Sequence, residues 1–270
     1  MATGATVFPQ TRSNGGKNTH QSLQRAVAIM RLFTEKEPAL TVAEISQKLD
    51  LHKSTVSRIL GALYVEGLVE HNDQTGQYSL GVGLITLAGV ALGRISARAV
   101  SLPHMEQLAN ETEETITLSI LRGFNSVCVA CIPAPQSVRY VVWIGRRVPL
   151  HATASGKVLL AYQNVVQRRH HLRYPLAPLT PHTHTNSDGL THQLNLVAQQ
   201  GYALEVDEFE EGTSALAAPV FNHEGTVTAA ISIAGPSYRL DENRLLAWVG
   251  PLRRQAEAIS GRLGFIGRQL

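Results

Sequence analysis

The sequence predicts an α+β protein of two modules: an N-terminal winged helix-turn-helix and a C-terminal antiparallel sheet flanked by helices. Three observations lead there. Apolar residues recur at helical spacing between Ser22 and Leu63. Two short alternating segments joined by a glycine-ended turn follow them. From Thr115 the apolar period becomes two, and such stretches then alternate with helical ones.

The composition is compatible with that architecture. The chain has 270 residues, 44% of them hydrophobic and 17% charged, enough apolar material for real cores. A net charge of +3 neither demands nor excludes nucleic acid. Two cysteines and no signal-peptide pattern point to a reducing cytoplasm. The longest apolar stretch, 82–92, is interrupted by glycine and too short to span a bilayer, so no membrane partner is expected.

Residues 1–20 are rich in Thr, Gly, Asn and Gln and read as a disordered arm. Its Arg12, Lys17 and His20 leave open a contact with DNA phosphates; a plain flexible tail is the alternative. The next module is expected over 21–81. Ser22 caps a helix that buries Leu23, Ala26, Val27, Met30, Leu32 and Phe33, and Glu37-Pro38 stops it. Thr41 and Glu44 form a T-x-x-E capping box opening a second helix, with Val42, Ile45 and Leu49 inward. Asp50-Leu51 is a tight break. A third helix, 52–63, buries Val56, Ile59, Leu60 and Leu63.

The outer face of that helix carries Lys53, Ser54, Thr55, Ser57 and Arg58. Small hydroxyls and cations in the first turns suit a helix that enters a major groove. Arg25 on the first helix joins this DNA-facing set. A helical hairpin with a merely polar surface is the alternative. The segments 68–71 and 77–80, joined by Asn72–Gly76, argue against it, because three helices and a hairpin make a winged helix. Residues 1–80 hold eight Lys/Arg and seven Asp/Glu, so the placement of charge matters more than its total.

A linker helix is expected over 82–101, with Leu84, Ile85, Leu87, Ala88, Ala91, Leu92 and Ile95 as an apolar seam fit for a dimer. The second module is expected over 102–265. Pro103 opens a segment reaching Thr112. Strands follow at 115–122, 126–132 and 138–145, then helices at 153–162 and 186–200, strands at 202–206, 214–220 and 227–234, and a helix at 241–263.

Several segments resemble one known family. Ser22–Ala26 resembles its first helix, Leu51–Arg58 its recognition helix, and Thr75–Gly81 its wing. Val148-Pro149-Leu150-His151-Ala152-Thr153-Ala154-Ser155-Gly156-Lys157 is close to its most specific signature. Asp207–Gly212, Ala217–Val220 and Ala230–Pro236 complete the set. Over roughly 22–263 the chain resembles the IclR family of bacterial regulators. The resemblance implies a GAF-like ligand domain, a homodimer or a tetramer of paired dimers, double-stranded operator DNA as partner, and a small carboxylate effector. It implies an effector pocket at Tyr140, Trp143, Val148, Ala154, Ser155, Glu205, Thr213, Ala215 and Ser232. Many members have cysteine where this chain has Ala215 and serine where it has Ala234. Those replacements, with Tyr140 and Trp143, leave an aromatic acid as one candidate. Backbone N–H groups of Ala154, Ser155 and Gly156 at a helix start would suit its carboxylate.

Other signals are weaker. Cys128 and Cys131 stand three apart in a strand, with no second pair for zinc, and read as structural thiols. His182, His184, Asp188 and His192 suggest a metal cluster or a solvated loop, the latter preferred; no metal and no cofactor is expected. The basic run Arg168–Arg173 reads as the exposed face of a short helix. Lys157 reads as a structural pairing group. An enzyme using His151 or Glu205 as base is the rival from another class, and a C-terminal module that only assembles the protein is a third reading.

Overall fold

The computed structural model describes residues 19–34, 36–93 and 96–266. The arm expected over 1–20 lies outside them, save that Thr19 and His20 already belong to the first helix. The chain divides into two compact units, one reaching Ala91 and the other beginning at Leu92.

The first unit runs α1 (Thr19–Met30), β1 (Ala39–Thr41), α2 (Val42–Leu49), α3 (Lys53–Val65), β2 (Val69–Asn72) and β3 (Gln77–Leu80), and then α4 (Gly83–Gly93) leaves it. Ser22 is therefore inside α1 and is not its cap. Leu23 is 67% exposed, and Ile29, not expected in the stripe, is fully buried with Phe33. The capping box is present: Thr41 Oγ1 accepts from the Glu44 N–H, and Glu44 Oε2 accepts from the Thr41 N–H at 2.7 Å. Asp50 closes α2 in the left-handed region at φ 51°, and Leu51 N–H bonds back to Ser46. Val56, Ile59, Leu60 and Leu63 of α3 are buried as the pattern requires. The wing carries an extra strand: β1 pairs with β3, giving the order β1-β3-β2. Three residues are too few to show a period, so β1 was invisible in the sequence.

Three glycines join the wing to α3 and α4. Gly67 turns at φ 66°. Gly81 N–H bonds to Leu68 O and Gly83 N–H to Gly67 O. A Cβ on Gly81 or Gly83 would lie 2.4 or 2.6 Å from the Gly67 carbonyl oxygen. Only glycine permits that approach.

Helix is described on both sides of residues 94 and 95 in the expected linker. After α4, α5 (Ser96–Thr112) contains Pro103 in its interior, where a segment start was expected. Buried Met105 and Leu108 continue the helix past the proline by anchoring it to the second core. Ile95, placed in the apolar seam, lies outside the described residues.

The second unit is a six-stranded antiparallel sheet in the order β6-β5-β4-β9-β8-β7. Its strands are β4 (Thr115–Arg122), β5 (Asn125–Ile132), β6 (Arg147–Pro149), β7 (Ala203–Val206), β8 (Thr213–Phe221) and β9 (Val227–Pro236). The helices α5 and α9 (Glu242–Arg262) share one apolar cluster with the sheet. The helices α6 (Ala154–Ala161) and α8 (Ser187–Gln200) share another with it. Caps set the ends: Asn186 and Asp241 accept backbone N–H groups, and Gly201 ends α8 at φ 80°. The short α7 (Val165–Leu172) buries no residue, as its basic run suggests.

The strand expected over 138–145 does not form. β6 takes the edge of β5 instead, pairing Asn125–Val127 with Arg147–Pro149. The preceding carbonyls find side-chain donors: Thr115 Oγ1 donates to Tyr140 O and Arg146 Nη1 to Val141 O. A segment whose backbone is satisfied this way has no need of a ladder. Val138 and Val141 are each 60% exposed, so the apolar run marks no core here.

Candidate functional site

The outer face of α3 presents Lys53, Ser54, Ser57 and Arg58 to solvent, with Thr55 half-buried; Arg25 on α1 is half-buried too. His52 caps α3 through its backbone alone, without a side-chain bond. Three acids of the same unit are occupied, Glu44 in the capping box, Glu37 with Lys48 at 2.8 Å, and Glu70 accepting from Val82 N–H, whereas Asp50 and Glu66 at the two ends of α3 are exposed. Among the described residues Lys53 and Arg58 make no ion pair. The near balance of charge in the sequence therefore hides an exposed cationic face.

In the second unit, Tyr140, Val148, Ala154, Ser155, Glu205, Thr213, Ala215 and Ser232 all line one cavity of about 40 Å³. The sheet supplies its floor and the start of α6 one wall. Trp143, expected with them, does not line it. It is 44% exposed and its ring lies 5.1 Å from the Arg146 guanidinium carbon. Residues three apart on a strand already face opposite sides, so Tyr140 and Trp143 were never both due inward without a bend, and it is Tyr140 that lines the cavity. Residues the sequence reading missed also line the cavity: Thr117, Ser119, Cys128, Arg146 and Phe209 among them. Strand parity relative to Ser232 could have found Thr117, because the two pair across β4 and β9. Nothing in the pattern marked Arg146.

Much of the polar lining is already bonded. Thr117 Oγ1 and Ser232 Oγ are 2.6 Å apart, and Ser126 Oγ and Ser155 Oγ 3.1 Å. At the start of α6, Thr153 Oγ1 accepts from Gly156 N–H and Thr153 O from Lys157 N–H. Gly156 was expected to offer its N–H to an anion; its own cap holds it instead. It must be glycine, since a Cβ would lie 2.5 Å from Leu150 O.

Glu205 is 4% exposed, and its Oε1 accepts from the N–H groups of Glu208 and Phe209. Burial nonetheless pushes its carboxyl up to about 8, against the pull of those bonds, so it is protonated at neutral pH. Burial also pushes the Tyr140 hydroxyl up to about 12 and the Cys128 thiol up to about 12. Neither is charged at neutral pH. Cys128 and Cys131 are free thiols, and a bulge at Val129 separates them: Cys128 pairs with Ser119 but Ala130 with Leu118. Lys157 is structural, with Nζ 2.5 Å from Glu208 Oε1 in a buried pair.

The rival catalytic residues do not form a base. His151 lies outside the cavity lining, and its Nε2 is 3.0 Å from Ala177 O. Burial lowers its pKa. Glu205 is held neutral. His184 Nε2 is 2.8 Å from Gln193 Nε2, and among the described residues no group of three His, Cys, Asp or Glu is placed to hold a metal. Among them, too, no helix is long and apolar enough to cross a membrane.

A winged helix-turn-helix with an exposed cationic helix, followed by a sheet domain with a small cavity of mixed apolar and hydroxyl lining, defines a DNA-binding transcription regulator with a ligand domain. Residues 22–73 match the IclR helix-turn-helix domain, and residues 90–261 match the bacterial transcriptional regulator IclR C-terminal domain. The chain is 34% identical over 246 residues to the HTH-type transcriptional regulator XynR of Escherichia coli, covering 91% of this chain and 98% of that one. It is 35% identical over 246 residues to the glycerol operon regulatory protein of Streptomyces coelicolor, covering 90% and 96%. An IclR homologue from Microbacterium hydrocarbonoxydans, solved with 4-hydroxybenzoate, superimposes with a TM-score of 0.79 at 28% identity, covering 90% of this chain and 98% of the other. The chain belongs to the IclR family of bacterial transcription regulators, and it is a regulator, not an enzyme.

Proposed function

We propose that this regulator binds operator DNA as a dimer or a pair of dimers, and that a small organic acid in the cavity controls it. The observation that carries the effector reading is the cavity itself. It is enclosed by the sheet and the start of α6, is lined by hydroxyls, and contains a carboxyl held neutral that does not repel an anion. The acid contacts Tyr140, Val148, Ala154, Ser155, Glu205, Thr213, Ala215 and Ser232. Lys53, Ser54, Thr55, Ser57 and Arg58, with Arg25 beside them, meet the DNA. Lys53 and Arg58 neutralise phosphates, and the hydroxyls lie where base edges are read.

Size separates two kinds of acid. A cavity of about 40 Å³ holds a few water-sized groups, whereas roughly 150 Å³ accommodates a benzene ring. A short aliphatic acid therefore suits the closed form. An aromatic acid is the second reading. Ala215 and Ala234 on the wall and the 4-hydroxybenzoate bound by the Microbacterium relative favour it. It requires the irregular 138–146 segment to swing outward. Calorimetry of the full chain against short aliphatic and aromatic acids decides the matter. Binding of neither kind would overturn the effector reading.

The exposed apolar residues of α4 supply the dimer seam. The protein works in the cytoplasm on an operon for uptake or breakdown of its effector or a related compound, as the name of the Streptomyces relative suggests for glycerol.

A further inference from the structure

The charged pair beside the cavity is closed on itself, whereas the cation in the cavity lining has only a long contact to an exposed carboxylate. Lys157 is taken by Glu208. Glu205 Oε1 is taken by two backbone N–H groups. Among the described residues Arg146 is the only basic one lining the cavity, and its side chain is 16% exposed. Its backbone is pinned: Cys128 N–H donates to Arg146 O, Gly145 N–H donates to Cys128 O, and Gly145 makes the turn at φ 92°. The guanidinium carbon sits 5.4, 5.1 and 5.4 Å from the ring centroids of Tyr140, Trp143 and Phe209. Three aromatic faces hold such a cation in place without neutralising it.

Its hydrogen bonds are few. Nη1 donates to Val141 O at 2.8 Å. Nη2 reaches Glu210 Oε2 at 3.4 Å, a long contact to a side chain that is 56% exposed. An arginine has five N–H donors in a planar fork. Most of these are unspent, and a sheltered cation whose counter-ion is a long contact to an exposed side chain favours an incoming anion. At the start of α6 the Gly156 and Lys157 N–H groups and the Ser155 hydroxyl are already bonded within the protein, which leaves the helix start fewer donors and no formal charge to offer.

We infer that Arg146 is the specificity-determining residue of the cavity: it grips the carboxylate of the effector through its guanidinium fork, and the acid displaces Glu210 from it. This rests on the proposal that a small acid enters the cavity. A bidentate fork selects planar carboxylates over neutral amides or polyols of the same shape. The ring of Trp143, outside the cavity, then acts on the effector through the arginine it stacks on.

The test uses the full chain, with pyruvate and 4-hydroxybenzoate as probes and their amides as neutral counterparts, read by calorimetry. At least one acid should bind the wild type, and its amide about tenfold more weakly or worse. R146Q should lose about tenfold or more in acid affinity and no longer distinguish acid from amide, while R146K retains part of the preference. E210Q should bind the acid several-fold more tightly, and it tests the displacement even where R146Q melts early. Acid affinity unchanged in both R146Q and E210Q, with Ser155→Trp abolishing binding, overturns the anchor but leaves the cavity as the effector site. If neither acid binds the wild type, the effector reading itself falls and the anchor with it.

Discussion

Lys157 Nζ lies 2.5 Å from Glu208 Oε1 and 3.3 Å from Leu204 O, with the two side chains 3% and 9% exposed. The pair ties the cavity wall at α6 to the loop that follows β7. Lys157→Met leaves a carboxylate buried without a counter-charge, which costs about 3–5 kcal/mol. The chemical-denaturation midpoint of the variant should fall accordingly. Adding Glu208→Leu should recover most of the loss, because the pair itself is worth little beyond its own desolvation. A midpoint unchanged in Lys157→Met would show that the pair is not needed.

Arg58 is exposed on α3 and packs on nothing in its own core. Arg58→Ala should weaken operator binding in a gel-shift titration while leaving the unfolding free energy within about 0.5 kcal/mol of wild type. A phosphate contact also predicts that the slope of log K against log salt shrinks by about one. Unchanged affinity would remove Arg58 from the interface.

Glu205 carries a pKa of about 8 in the folded chain against an ordinary 4.5. Burial is the main cause and the charge of Glu208 adds to it, while the N–H bonds from Phe209 and Glu208 and the charge of Lys157 oppose it. Between these two values the folded state holds a proton that the unfolded state has lost, so stability falls as pH rises. The contribution is fully present below pH 4.5 and gone above pH 8. Glu205→Gln removes this titration. Melting curves of wild type and variant should converge towards pH 5 and separate towards pH 8, with the variant holding more of its stability. Parallel curves would contradict the assignment.

Ile85, Leu87 and Val90 of α4 are 72%, 59% and 67% exposed within one chain. An apolar helix surface of that kind calls for a second copy. The double variant Ile85→Glu, Val90→Glu should lower the mass measured by light scattering at micromolar concentration and weaken operator binding with it. A wild-type chain that is already monomeric, with and without DNA, would refute the seam.

Local signals made most of the fold legible. The Thr41–Glu44 box and the stripe of α3 depend on neighbours a few residues away, and each stands where the pattern put it. The cavity residues were legible through motif resemblance, since Tyr140, Glu205 and Ser232 come together only in three dimensions. The strand expected over 138–145 failed for a physical cause. Which strand occupies the edge of β5 is a competition between 138–145 and Arg147–Pro149, and alternation in sequence does not register a competitor. Arg146, which no pattern marked, reaches the cavity from the same segment, while Trp143 lies outside its lining. Pro103 inside α5 is a case of tertiary burial overriding a local breaker.

The Gly67–Gly81–Gly83 contact makes a stiff joint of the place where α4 leaves the wing. With two backbone hydrogen bonds and no side chain between the Gly67 turn and the start of α4, it has little slack to absorb motion. A twist applied along α4 is therefore passed to the end of α3 and not dissipated in a soft elbow. The reading helix and the helix that leaves its module turn together, as a key turns with its bow. Alanine at Gly81 or Gly83 would pry that joint open, and the reading helix would lose its handle before it lost its fold.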